Sequence, residues 1–160
     1  MEIDKLGSSP KDLGYQIGVR KTFTVSTEKM WDFLLSETGI TIWLGQINMD
    51  DFELHKPFKT TEGIEGKLSV FKPDSHMRLR WKSTDWLRYS TVEIRVTNSK
   101  GRAAVVFHHT GLFDVEKREA LIGYWKGVIG KMVVAFVGES EKVDWLAFKR
   151  MTILMIYLLI

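Results

Sequence analysis

Two runs between residues 77 and 96 place apolar side chains at every second position, and this alternation constrains the fold more than any other feature of the chain. In MRLRWK (77–82) Met77, Leu79 and Trp81 share one face, and Arg78, Arg80 and Lys82 share the other. YSTVEIRV (89–96) sets Val92, Ile94 and Val96 against Glu93 and Arg95. NSKG (98–101) is a hairpin turn, and RAAVVFHHTGL (102–112) follows as a further strand. A period of two is the side-chain period of a strand, and consecutive hairpins build an antiparallel sheet with one dry face and one wet face. Upstream, GKLSVF (66–71) runs into the turn signal KPDS, and FELHKPF (52–58) is a short piece containing Pro57.

The ends of the chain read differently. IGVRKTFTV (17–25) alternates as a half-buried strand with Ile17, Val19, Phe23 and Val25 inward; Lys21 interrupts that face, which suits an edge position or a snorkelling stem. Ser26 and Thr27 can cap a helix that carries Glu28 in its first turn and Met30, Trp31, Phe33, Leu34 and Leu35 at helical spacing, with Gly39 as its stop. ITIWLG (40–45) is a second short apolar piece. Asp114 can cap a last helix, along which Leu121, Ile122, Trp125, Val128, Ile129, Met132, Val133 and Phe136 form one broad stripe. The order strand, two helices, several antiparallel strands, long helix predicts an α+β fold in which a curved sheet grips one long helix. We expect a flexible leader over 1–15, one domain over 16–137 and an apolar extension over 138–160.

Composition removes several kinds of chemistry. The chain of 160 residues has no cysteine, which excludes disulfides, zinc–thiolate sites and cysteine nucleophiles and suits a reducing cytosol. Residues 1–15 lack the apolar core of a signal peptide, so a cytoplasmic location is expected. The 23 basic and 20 acidic residues are scattered, with neither the stripe nor the module that nucleic-acid binding requires. GESEK (138–142) is not a nucleophile elbow, and GVIGKM (127–132) lacks the spacing and hydroxyl of a phosphate loop. MDDFE (49–53) reads as a solvated loop, and no Ser–His–Asp set stands out. No cofactor or metal is expected, and no catalytic residue is assigned.

The chemical question centres on FHHTGLFD (107–114). Adjacent strand residues point to opposite faces, so His108 and His109 cannot clamp one metal from a regular strand. In register with Val105 and Phe107, His109 points inward and His108 outward. A buried His109 is either a satisfied core histidine or a polar contact for a ligand.

The opening strand with STEKMWDFL, then TIWLG, GIEGKLSVF, MRLRW, HTGL and GYWKGVIGKM, in this order over residues 17–137, resembles the START/Bet v allergen-like superfamily, also called SRPBCC or helix-grip. Within it the chain is similar to bacterial proteins resembling the activator of the heat-shock protein 90 ATPase. The resemblance implies a seven-stranded antiparallel sheet, two short helices in a V and a hydrophobic cavity beneath the C-terminal helix. It points to a non-enzymatic protein that holds a small hydrophobic molecule, a lipid or an aromatic compound. The expected walls are Trp43, Leu68, Val70, Leu79, Trp81, Ile94, Phe107, Trp125 and Ile129, with His109 as the polar anchor. The same rings can instead fill the core. Two alternatives follow from the resemblance: a chaperone regulator acting through the outer face with Arg78, Arg80, Lys82 and Arg95, and a polyketide cyclase or aromatase.

The extension departs from the family. TILMIYLLI (152–160) is far shorter than the ~20 apolar residues that span a bilayer, so no transmembrane segment is expected. Gly123, Gly127 and Gly130 fall opposite the apolar stripe of the last helix. Either the tail or a second subunit packs on that smooth face, giving a homodimer in the second case, or the glycines are simply exposed.

Overall fold

The computed structural model describes the backbone of residues 2–4 and 14–158 and the side chains of residues 14–137. Seven strands form one sheet: β1 (Glu2–Asp4), β2 (Tyr15–Phe23), β3 (Pro57–Lys59), β4 (Ile64–Lys72), β5 (His76–Ser83), β6 (Ser90–Ser99) and β7 (Arg102–Leu112). Their spatial order is β1-β2-β7-β6-β5-β4-β3, and every neighbouring pair is antiparallel. Helices α1 (Thr27–Leu35) and α2 (Glu37–Trp43) separate β2 from β3, and α3 (Val115–Leu158) follows β7.

The alternation in β5, β6 and β7 survives as burial. Met77, Leu79, Trp81, Val92, Ile94, Val96, Val105 and Phe107 all lie in the core, packed beneath α3 residues Leu121, Trp125, Val128, Ile129 and Met132. Among the described residues one stretch, Val115–Val137 at a mean hydropathy of 1.5, is long and apolar enough to cross a membrane. Only 28% of that stretch is buried, and Leu121, Trp125, Val128, Ile129 and Met132 supply its buried face.

Four local features differ from the sequence reading. Lys21 is not on an edge strand, because β2 lies between β1 and β7, although the pairing with β1 stops at Arg20. Residues 2–4 of the expected leader pair with β2, whereas residues 5–13 lie outside the described residues. Gly39 does not end α1. Ser36 does so, and it also caps α2 by accepting from the Gly39 N–H at 3.0 Å. A Cβ at Gly39 would stand 1.9 Å from the Phe33 carbonyl oxygen, so the residue lets α2 begin hard against the end of α1.

The fourth difference is a bulge in β4 between Leu68 and Val70. An extra residue reverses the alternation beyond it. Val70 therefore pairs with outward-facing Arg78, and Phe71 pairs with inward-facing Met77 and packs at 5.8 Å on Trp31. Asp114 caps α3 as expected, accepting from the Lys117 N–H at 2.8 Å. The chain does not turn back after residue 137, since α3 continues unbroken to Leu158. At ~1.5 Å per residue a helix of 44 residues is about 66 Å long, nearly twice the span of the longest strand. The side chains of 138–160 lie outside the described residues.

Candidate functional site

Trp81, Ser90 and His109 meet on the inner face because Trp81 pairs with Ser90 and His109 pairs with Val92, two residues along. An indole N–H only donates. Trp125 Nε1–H therefore donates to His109 Nδ1 at 3.1 Å, which fixes the proton on Nε2. Nε2–H then donates to Ser90 Oγ at 2.6 Å, and Ser90 Oγ–H donates to the Trp81 carbonyl at 2.7 Å. Each donor in this column has one acceptor, and the chain ends on the backbone. Burial pushes the His109 pKa down to about 3, with a smaller contribution from the charge of His108. The imidazole is neutral at any ordinary pH and works as a strut between sheet and helix.

The expected walls other than Val70 lie in one buried core. The Phe107 and Trp125 rings stack with centroids 4.8 Å apart and planes 23° apart. Leu68, Leu79, Trp81, Ile94, Ile129 and Trp43 are all buried in the same core. Trp43 Nε1–H donates to the Leu34 carbonyl at 2.9 Å, so this indole ties α2 to α1. Val70 is the exception: the bulge turns it to the outer face, half-buried, and Phe71 takes its place inside. Over β2 and β7 α3 lies directly on the strands, with Trp125 stacked on Phe107.

One end is built differently. The β4–β5 and β6–β7 connections are short polar turns, whereas the β5–β6 connection holds Trp86, Leu87 and Tyr89. The Trp86 ring stands edge-on to Trp81 at 5.2 Å and to Phe113 at 5.6 Å, and Tyr124 of α3 lies 6.3 Å from Trp81. Leu87, the next residue, is 95 % exposed. Lys82 holds the loop through the Trp86 carbonyl at 3.1 Å, and Lys117 lies 4.5 Å from the centroid of the Phe113 ring. Tyr124 donates its hydroxyl proton to the Trp43 carbonyl; burial first, and the Glu62 charge second, raise its pKa. The sequence reading passed over Trp86, Tyr124 and Ser90. Two signals were present: large apolar residues in a hairpin loop, and a serine at the inward parity of β6.

On the outer face the four cations Arg78, Arg80, Lys82 and Arg95 already have partners. Glu93 takes Arg78 at 2.7 Å and Arg95 at 2.9 Å, Lys82 takes Glu65 at 3.0 Å, and Arg80 lies 4.6 Å over the Tyr89 ring. Partial burial alone would raise the Glu93 pKa, but hydrogen bonds and charge from the two arginines outweigh it and lower it. His108 is outside, as expected, with Nε2 3.1 Å from Gln16 Oε1. Asp51 of the acidic loop pairs with Lys56 at 3.1 Å. No Cβ built at Gly123, Gly127 or Gly130 meets another atom within 4 Å, so among the described residues nothing packs on that face. The continuous α3 also keeps the tail from folding back onto it.

This architecture is the helix-grip fold, an antiparallel sheet closed by a long C-terminal helix. Solved structures share it. CalU16 from Micromonospora echinospora superposes with a TM-score of 0.61 at 15% identity, over 71% of this chain and 69% of that one. Aha1 from Colwellia psychrerythraea, solved as a dimer, gives a TM-score of 0.61 at 13% identity, over 73% and 92%. An HSP90 activator from Plasmodium falciparum gives 0.53 at 17% identity, over 62% and 74%. No family model and no curated protein matches the sequence. At these identities the likeness is one of fold.

Proposed function

We propose that this protein binds a small, largely hydrophobic molecule, with an aromatic compound as the best fit, and that it does so at the Trp81–Trp86–Phe113–Tyr124 end of the fold. The observation carrying this reading is the β5–β6 loop, which lays Trp86 over Trp81 while leaving Leu87 95 % exposed. A hairpin needs only polar turn residues, and exposing a leucine gains nothing for folding. Loops on a rigid scaffold commonly carry binding residues. The site lies where the sheet meets the first turns of α3, away from the Phe107–Trp125 stack. His109 is not an anchor in this reading, because both its ring nitrogens are already bonded. Nor is it an acid or a base, which leaves a cyclase without its central group.

The chaperone reading draws on the Aha1-like fold, but the arginines and lysine that it would use already have partners on the same face. A panel of uncharged one- and two-ring aromatic compounds, followed by intrinsic tryptophan fluorescence, tests the ligand reading. Saturable quenching is expected in the wild type and is expected to weaken strongly in Trp86→Ala. Quenching unaltered by Trp86→Ala, or none at all, would count against it.

A further inference from the structure

The Trp81 indole Nε1 is the single buried side-chain nitrogen or oxygen without a hydrogen-bond partner among the described residues. Trp81 is only 3% exposed, so water does not reach it from the surface. None of the polar atoms on the neighbouring rings accepts from it. His109 Nδ1 takes Trp125, His109 Nε2 gives to Ser90, and the Tyr124 hydroxyl gives to Trp43. Two other buried indoles are treated differently, since Trp43 and Trp125 each donate to a specific acceptor. A buried donor left unpaired is costly, and structures seldom keep one without a use for it.

We infer that Trp81 Nε1–H is the polar specificity contact of the ligand site, and that the molecule bound there carries a hydrogen-bond acceptor, a carbonyl oxygen or its equivalent, on an aromatic or alicyclic body. This rests on the proposed site at the Trp81–Trp86 end and adds to it the chemistry of the ligand. The rings of Trp86, Tyr124 and Phe113 receive the apolar body, and the indole N–H receives the one polar atom. A pure hydrocarbon bound among the same rings would leave the donor orphaned.

The test uses a matched pair, 1-indanone and indane, which share a carbon skeleton and differ in the carbonyl group. Both are titrated into the ¹⁵N-labelled full chain and into Trp81→Phe, which keeps an aromatic ring and removes the N–H. The indole cross-peak missing from Trp81→Phe identifies Trp81. In the wild type, 1-indanone is expected to bind about tenfold more tightly than indane and to move the Trp81 Nε1–H resonance downfield, as a new hydrogen bond does. In Trp81→Phe the preference is expected to collapse to about onefold while indane still binds, which separates the polar contact from the site as a whole. Equal affinities for the two compounds in the wild type, or a preference that persists in Trp81→Phe, would overturn the assignment while leaving the site standing. Failure of both compounds to bind the wild type would overturn the site and this contact together.

Discussion

Acid should unfold this protein partly through one imidazole. The buried column holds His109 neutral, with a folded pKa of about 3 against an ordinary value of 6.5. Below pH 6.5 the unfolded chain takes up a proton that the folded chain refuses. Stability is therefore unaffected by this group above pH 6.5, falls as the pH drops towards 3, and levels off below that. Linkage makes the limiting slope about 1.4 kcal/mol per pH unit, so at pH 4 the loss is about 3 kcal/mol. The comparison is His109→Gln, whose amide can accept from Trp125 and donate to Ser90 but does not titrate. At pH 7 the variant should be less stable, by about 1–2 kcal/mol for imperfect geometry. Between pH 7 and pH 4 it should lose about 3 kcal/mol less than the wild type, with carboxylate contributions common to both chains. Urea unfolding followed by tryptophan fluorescence at each pH gives both curves. Parallel curves would show that His109 is protonated, or solvated, in the folded state, and the closed column would be wrong.

Other consequences can be checked on the same apparatus. Ser90→Ala leaves His109 Nε2–H and the Trp81 carbonyl without their shared partner, and should cost about 1–3 kcal/mol in urea unfolding. Gly66→Ala places a Cβ 1.9 Å from the Arg80 carbonyl oxygen across the β4–β5 pair, and should cost at least ~2 kcal/mol. Gly127→Ala meets open space on an exposed helix face, and should raise stability by about 1 kcal/mol; a loss instead, with a change in sedimentation, would reveal a second copy seated there. Phe71→Ala should cost about 2 kcal/mol and Val70→Ala less than ~0.5, the order set by the bulge. The reverse order would place the bulge elsewhere.

The parts legible in the sequence were those governed by a regular period. Alternation in MRLRWK and VEIRV put Leu79, Trp81 and Ile94 inside, and parity with Phe107 put His109 inside and His108 outside. The stripe from Leu121 to Met132 picked out the buried face of α3. Irregularities broke the reading. The Leu68–Val70 bulge shifts the pattern by one residue, which exchanges Val70 for Phe71, and no period in GKLSVF marks where the extra residue falls. Gly39 reads as a helix stop, yet it serves a close approach between α1 and α2 that only three dimensions reveal. The separation of α3 from the sheet depends on how Phe107 and Trp125 meet, and composition is silent on that. The DWLRYS loop could have been flagged, because tryptophan and leucine in a hairpin connection gain little by burial unless something covers them.

The location of the ligand is the point on which everything turns. A crystal structure of the protein grown with 1-indanone decides it. Density for the ketone should lie against Trp81, Trp86 and Phe113, with its oxygen on Trp81 Nε1 and the Phe107–Trp125 stack still at 4.8 Å. Density wedged between Phe107 and Trp125, with His109 freed from Trp125, would contradict the account and restore the central cavity.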